Sequence, residues 1–175
     1  MKTIDQTVEI LDNEQQRIVT AVRSQGERTW TDGHLVDTAH GSLAGRGHFR
    51  TEPDELTFTV QEVAGHLADS ATVFAARIKV IREMDLPSFG DFTTTDPDRR
   101  ARYREVSFSD ALDRLVWTYQ HLRAQVVQIG VDDFERQGLH EHRGEISIAS
   151  IVEFLPQHLS DHLAQLRALS VSASA

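Results

Sequence analysis

Residues 148–169 constrain this chain more than any other stretch: an apolar stripe of Ile148, Ile151, Leu155, Leu159, Leu166 and Leu169 is interrupted by two histidines, His158 and His162. Apolar residues at this spacing form the buried side of an amphipathic helix. Positions i and i+4 lie one above the other on that side, so both imidazoles face inward and can point at a single atom. A buried ring must find a polar partner. The pair alone leaves two readings open: a metal ion shared by two lone pairs, or two core histidines bonded to backbone carbonyls or to a tyrosine. Pro156 sits inside the same stretch, and the hydrogen bond it removes predicts a kink or bulge near Val152.

The rest of the chain has the same helical grammar. Ile4, Val8, Leu11, Ile18 and Val22 predict a first helix over residues 3–25, ended by Gly26. Thr59-Val60-Gln61-Glu62 is a capping box, after which Val60, Val63, Leu67, Phe74, Ile78 and Ile81 carry a second helix until Asp85-Leu86-Pro87. His66 borders its apolar face. Asp96-Pro97 predicts a short helix followed by Arg99, Arg100, Arg102 and Arg104, a charge run read as a solvated face. Ser109 is expected to cap a third long helix bearing Leu112, Leu115, Val116, Tyr119, Leu122, Val126 and Ile129, with Gly130 past its end. Tyr119 on that stripe lines a pocket, bonds a buried imidazole or packs in the core. Ser147 is expected to cap the last helix, with residues 170–175 as a flexible tail.

Two connections stand out. Residues 26–58 are rich in Gly, Thr, Asp and His, a length unusual in a compact domain unless functional or disordered. A helical turn is expected at Leu35 to Ala39, and His34, His40 and His48 read as solvated loop residues. The second connection carries His140-Glu141-His142, expected as a loop overhanging a pocket, with His142 as a candidate lining residue. No stretch has a convincing strand pattern, so the expectation is a single all-α domain over residues 1–175, most simply a four-helix bundle.

Composition narrows the chemistry. A net charge of -9 works against nucleic acid and anionic membranes, which bind through clustered Lys and Arg. The absence of cysteine removes disulfides, zinc-thiolate sites and cysteine nucleophiles, so a metal must rest on His, Asp or Glu. No apolar run reaches the roughly 18 residues of a membrane span and no signal core is present, making cytoplasmic residence the expectation.

His66-Leu67-Ala68-Asp69 on the second helix, together with His158-x-x-x-His162-x-x-Gln165 on the last, resembles the DinB/YfiT-like superfamily. The resemblance covers most of the chain. It implies an up-down-down-up four-helix bundle, often a homodimer, with a divalent metal (Zn, Ni, Fe or Mn) on His66, His158 and His162. Three protein ligands leave a coordination position open, as in catalytic sites. Asp69 is then a candidate base or orienting group, and Gln165 a group that orients His162. The activity implied is transfer of a low-molecular-weight thiol, as in bacillithiol and mycothiol S-transferases and a mycothiol-dependent maleylpyruvate isomerase. A metal-bound thiolate would attack an electrophilic small molecule. A hydrolase or isomerase using metal-bound water, and a non-catalytic metal- or ligand-binding protein, are the alternatives. The 26–58 connection departs from the family pattern and bears on the substrate entrance.

Overall fold

The computed structural model describes residues 3–30, 55, 57–93 and 96–172. Its helices are α1 (Ile4–Trp30), α2 (Val60–Glu83), α3 (Pro97–Glu105), α4 (Phe108–Val127) and α5 (Ile148–Ser172). Three short strands, β1 (Ser88–Phe89), β2 (Gln137–His140) and β3 (Gly144–Ser147), form a small sheet, and a 3-10 turn spans Val131–Asp133.

Local chemistry sets the helix starts. Thr59 accepts from the Glu62 N–H while the Glu62 carboxylate accepts from the Thr59 N–H, so the capping box is complete. Asp96 caps α3, with Pro97 as its first residue. The third long helix starts at Phe108, because Ser107, and not the expected Ser109, accepts from the Asp110 N–H. Ser147 Oγ accepts from the Ser150 N–H at the head of α5. Gly26 does not end α1: one glycine costs a helix only about 1 kcal/mol, and the helix runs on to Trp30.

Four helices make the bundle, with α1 packed on α4 and α5, and α2 packed on the same two. Their directions follow from side-chain pairs. Asp69 meets Arg114 and Arg82 meets Gln128, so α2 and α4 run parallel. His66 lies beside His162, and Phe74 beside Phe154, so α5 runs against α2. Asp12 bonds Arg123 late in α4, and Gln25 donates to the Leu166 carbonyl late in α5, which directs α1 against α2. The order is up-down-down-up. The expected stripes fill the core, with Ile18, Val22, Val63, Leu67, Leu115, Leu122, Leu155 and Leu166 all buried.

Parallel neighbours cannot be joined by a tight turn, and the α2–α4 crossover carries β1 and α3. Of the α3 arginines, Arg102 and Arg104 are exposed as the charge run suggests, while Arg99 and Arg100 are half-buried. Arg100 and Arg104 clasp the buried Glu62, and Arg99 pairs with Asp69. Burial pushes the Glu62 carboxyl up, but the Arg100 and Thr59 bonds and both guanidinium charges outweigh it, so its pKa is lowered.

The sheet is what the sequence pattern misses. β1 pairs parallel with β2 (Ser88 with Leu139) and β2 antiparallel with β3 (Gly138 with Ile146). Runs of two to four residues are too short to show a period-2 signature. Gly138 is required for the fit, since a Cβ there would overlap the Phe89 ring and lie 3.0 Å from Ile81 of α2. This close approach seats the β2–β3 hairpin against the end of α2. Gly144, at φ 71°, closes the hairpin turn. Among the described residues no helix is long and apolar enough to cross a membrane. The Leu35 to Ala39 turn and His34, His40 and His48 lie outside the described residues.

Candidate metal centre

His66 projects from α2, and His158 and His162 project from successive turns of α5. Their ring centroids lie 4.7–5.4 Å apart. One ligand nitrogen from each falls within 4.8 Å of the other two. His66 and His162 are buried and His158 is half-buried. Phe58 and Phe92 stand against His66, and Phe74 and Phe154 against His158, with centroids 5.3–6.0 Å away.

This apolar surround determines the charge state. Burial, reinforced by the neighbouring imidazoles, pushes the His66 and His158 pKa values well below the usual histidine range. Burial brings His162 down to about 4, with the Gln165 bond working against the shift. All three rings are therefore neutral at pH 7, the form that binds metal. His66 Nδ1 and His158 Nε2 are buried without a hydrogen-bond partner among the described residues. Buried polar atoms of this kind call for an explanation. Three converging neutral nitrogens with no thiolate among them fit a divalent cation.

Gln165 fixes one of these rings. Its Nε2 donates to the Glu55 carbonyl at 2.6 Å, which turns Oε1 toward His162 Nδ1 at 2.9 Å. An amide oxygen only accepts, so Nδ1 carries the proton and Nε2 keeps the lone pair. Such a bond sets both tautomer and ring orientation for a ligand histidine.

A cavity of about 620 Å³ opens beside the centre. His66, His158, Phe74, Phe92 and Phe154 line one part of it, and Arg77, His140 and Arg143 line another. Its size is in the range of small-molecule sites. Glu55 and Asp161 are also on the wall. Glu55 is 3% exposed, with Oε1 4.0 Å from His66 Nε2.

Three of the residues singled out from sequence lie elsewhere. Asp69 is not poised as a base: Arg99, Arg114 and the Tyr103 hydroxyl all bond its carboxylate, tying α3 and α4 to α2. Tyr119 is buried in the core and does not line the cavity. His142 stands in the hairpin turn with its side chain 64% exposed, and His140, whose alternate position in β2 turns it inward, lines the cavity instead. Asp161 is half-buried on the cavity wall and accepts from Gln157. Sequence reading missed Glu55, Phe92, Arg77 and Arg143. The unusual length of the 26–58 connection was the one signal near Glu55; the others carry none.

The family model of the DinB superfamily matches residues 11–166. Among solved structures, YfiT from Bacillus subtilis is similar, with a TM-score of 0.76 over 98% of this chain and 87% of that chain, at 17% identity. It is described as a probable metal-dependent hydrolase with an unusual four-helix bundle topology. At that identity the likeness speaks for the fold. No curated protein matches the chain.

Proposed function

The chain belongs to the DinB superfamily, and on that premise we propose a divalent-metal-dependent enzyme that transfers a low-molecular-weight thiol, of the mycothiol or bacillithiol kind, to an electrophilic small molecule. One observation carries the reading: three neutral, inward-facing imidazoles converge beside a cavity large enough for substrate. His66, His158 and His162 would hold the ion. Bound there, it would supply Lewis acidity, lowering the pKa of a thiol or water that it coordinates. The chain has no cysteine, so the sulfur must come from a substrate. Gln165 holds His162 in the required tautomer, and the four phenylalanines surround His66 and His158 with apolar surface, which strengthens electrostatic interactions there.

The test begins with elemental analysis of the parent protein beside a His158→Ala, His162→Ala variant. Near-stoichiometric metal is expected in the parent and none in the folded variant. The metal-loaded parent should then consume an electrophile only when thiol is added. A parent that stays metal-free after soaking with zinc, nickel and manganese would end this reading.

Glu55 favours a second reading, hydrolysis. Its carboxylate lies beside His66 on the cavity wall, where it can take a proton from an attacking water. Turnover without thiol, abolished in Glu55→Gln at unchanged metal content, would select it.

A further inference from the structure

The cavity has a second polar end, away from the histidines. Arg77 lies eleven residues after His66 on α2, about 16 Å along the axis at 1.5 Å per residue. It is held in place, donating to the Gly90 carbonyl at 2.9 Å and lying 4.9 Å over the Phe89 ring. Arg143 reaches the same cavity from the hairpin turn. Among the described residues it makes no ion pair.

Burial lowers the Arg77 pKa; the Asp91 carboxylate opposes that shift and the Arg143 charge adds to it. The partly buried Arg77 thus lies near the exposed Arg143 and Asp91 at this end of the cavity. His140, also on this wall, is kept below the usual histidine range by burial and by the Arg77 charge. It counts as neutral at pH 7. At this end Arg77 and Arg143 face the Asp91 carboxylate, with the exposed Arg143 and Glu141 screened by solvent, while Glu55 beside His66 and Asp161 on α5 add carboxylates elsewhere on the wall.

We propose that Arg77 and Arg143 form a recognition site for the carboxylate of a small organic acid whose reactive atom is presented to the three histidines. The inference rests on the proposed function for the reactive end alone. A guanidinium fork matches a carboxylate or a phosphate in shape. The carboxylates on the same wall, Asp91, Glu55 and Asp161, favour a monoanion over a dianion. Between the two ends, Phe74, Phe154 and Ile146 line the cavity, so the substrate class is a carboxylic acid with an apolar middle several atoms long.

The probes are 4-phenylbutyrate, its primary amide and phenyl phosphate, titrated calorimetrically into the metal-loaded parent, Arg143→Gln, Arg77→Lys and His158→Ala. The parent should bind the acid roughly tenfold more tightly than the amide, the value of a charge-assisted hydrogen bond. Arg143→Gln should abolish that preference. Its side chain has no ion-pair partner among the described residues, so the variant should fold. Arg77→Lys keeps the charge but not the fork, and should weaken the preference. His158→Ala should retain it, because the proposed carboxylate site does not use the ion.

A preference lost in His158→Ala but kept in Arg143→Gln would mean that the metal binds the acid, and would overturn the inference. Equal binding of acid and amide, or tighter binding of phenyl phosphate, would overturn it as well. A preference that depends on Arg143 in a protein that holds no metal would sustain it while removing the metal-dependent reading.

Discussion

Gln165→Leu separates the orienting role of Gln165 from its packing role. Gln165 is fully buried and makes two bonds, one from His162 Nδ1–H at 2.9 Å and one to the Glu55 carbonyl at 2.6 Å. Leucine nearly conserves the volume but strips a donor and an acceptor of these bonds. The Glu55 carbonyl keeps the Phe58 N–H at 3.1 Å, so only the His162 Nδ1–H loses its acceptor, at a cost of about 1–3 kcal/mol. The added apolar burial offsets part of this, leaving a net loss of about 1–2 kcal/mol. Urea unfolding of the metal-free protein measures it. Freed of Gln165, the His162 ring can rotate and change tautomer, so metal affinity should fall roughly 10–100-fold, read by competition with a chromophoric chelator. Gln165→Glu is the control: it keeps an acceptor for Nδ1–H while losing the bond to Glu55, so it should lose stability but hold the ion at least as tightly as the parent. A Gln165→Leu protein that is less stable yet binds the ion with parental affinity would refute the orienting role.

Acidification should destabilise the metal-free protein. His162 is neutral in the fold down to about pH 4, against 6.5 when unfolded, so the unfolded chain binds the extra proton in that window. The penalty is absent above 6.5, grows as pH falls and is complete below about 4. For this residue alone it reaches about 3 kcal/mol; urea midpoints across that range should fall less steeply in His162→Ala. Gly138→Ala should cost about 1–3 kcal/mol through overpacking against Phe89 and Ile81, measurable by thermal unfolding. It should also weaken the acid-over-amide preference, because the displaced hairpin carries Arg143.

The three-histidine cluster and the bundle were legible in sequence because helical signals are local. A capping box lies within four residues, and an i, i+4 pair shares a face in any helix, so Thr59-Glu62 and His158-His162 needed no knowledge of the rest of the fold. Element ends were less secure. Ser107 and Ser109 both offer a capping hydroxyl, and only the fold shows that the Asp110 N–H goes to Ser107.

Roles that depend on a distant partner were not legible. Asp69 has the sequence position of a base, yet Arg99 and Arg114, 30 and 45 residues away, make it a tie between helices. His140 and His142 differ by two positions, but strand pairing and the turn send one inward and the other to solvent. Glu55 and Phe92 belong to connections with no periodicity, and reach the centre because the bundle packs them there. The sequence by itself determined the helices, the bundle and the inward face that carries the three histidines, since periodicity is a property of each segment. Tertiary structure alone decided the cavity, its cationic end and the uses of the charged residues, because these depend on which side chains from separate elements meet.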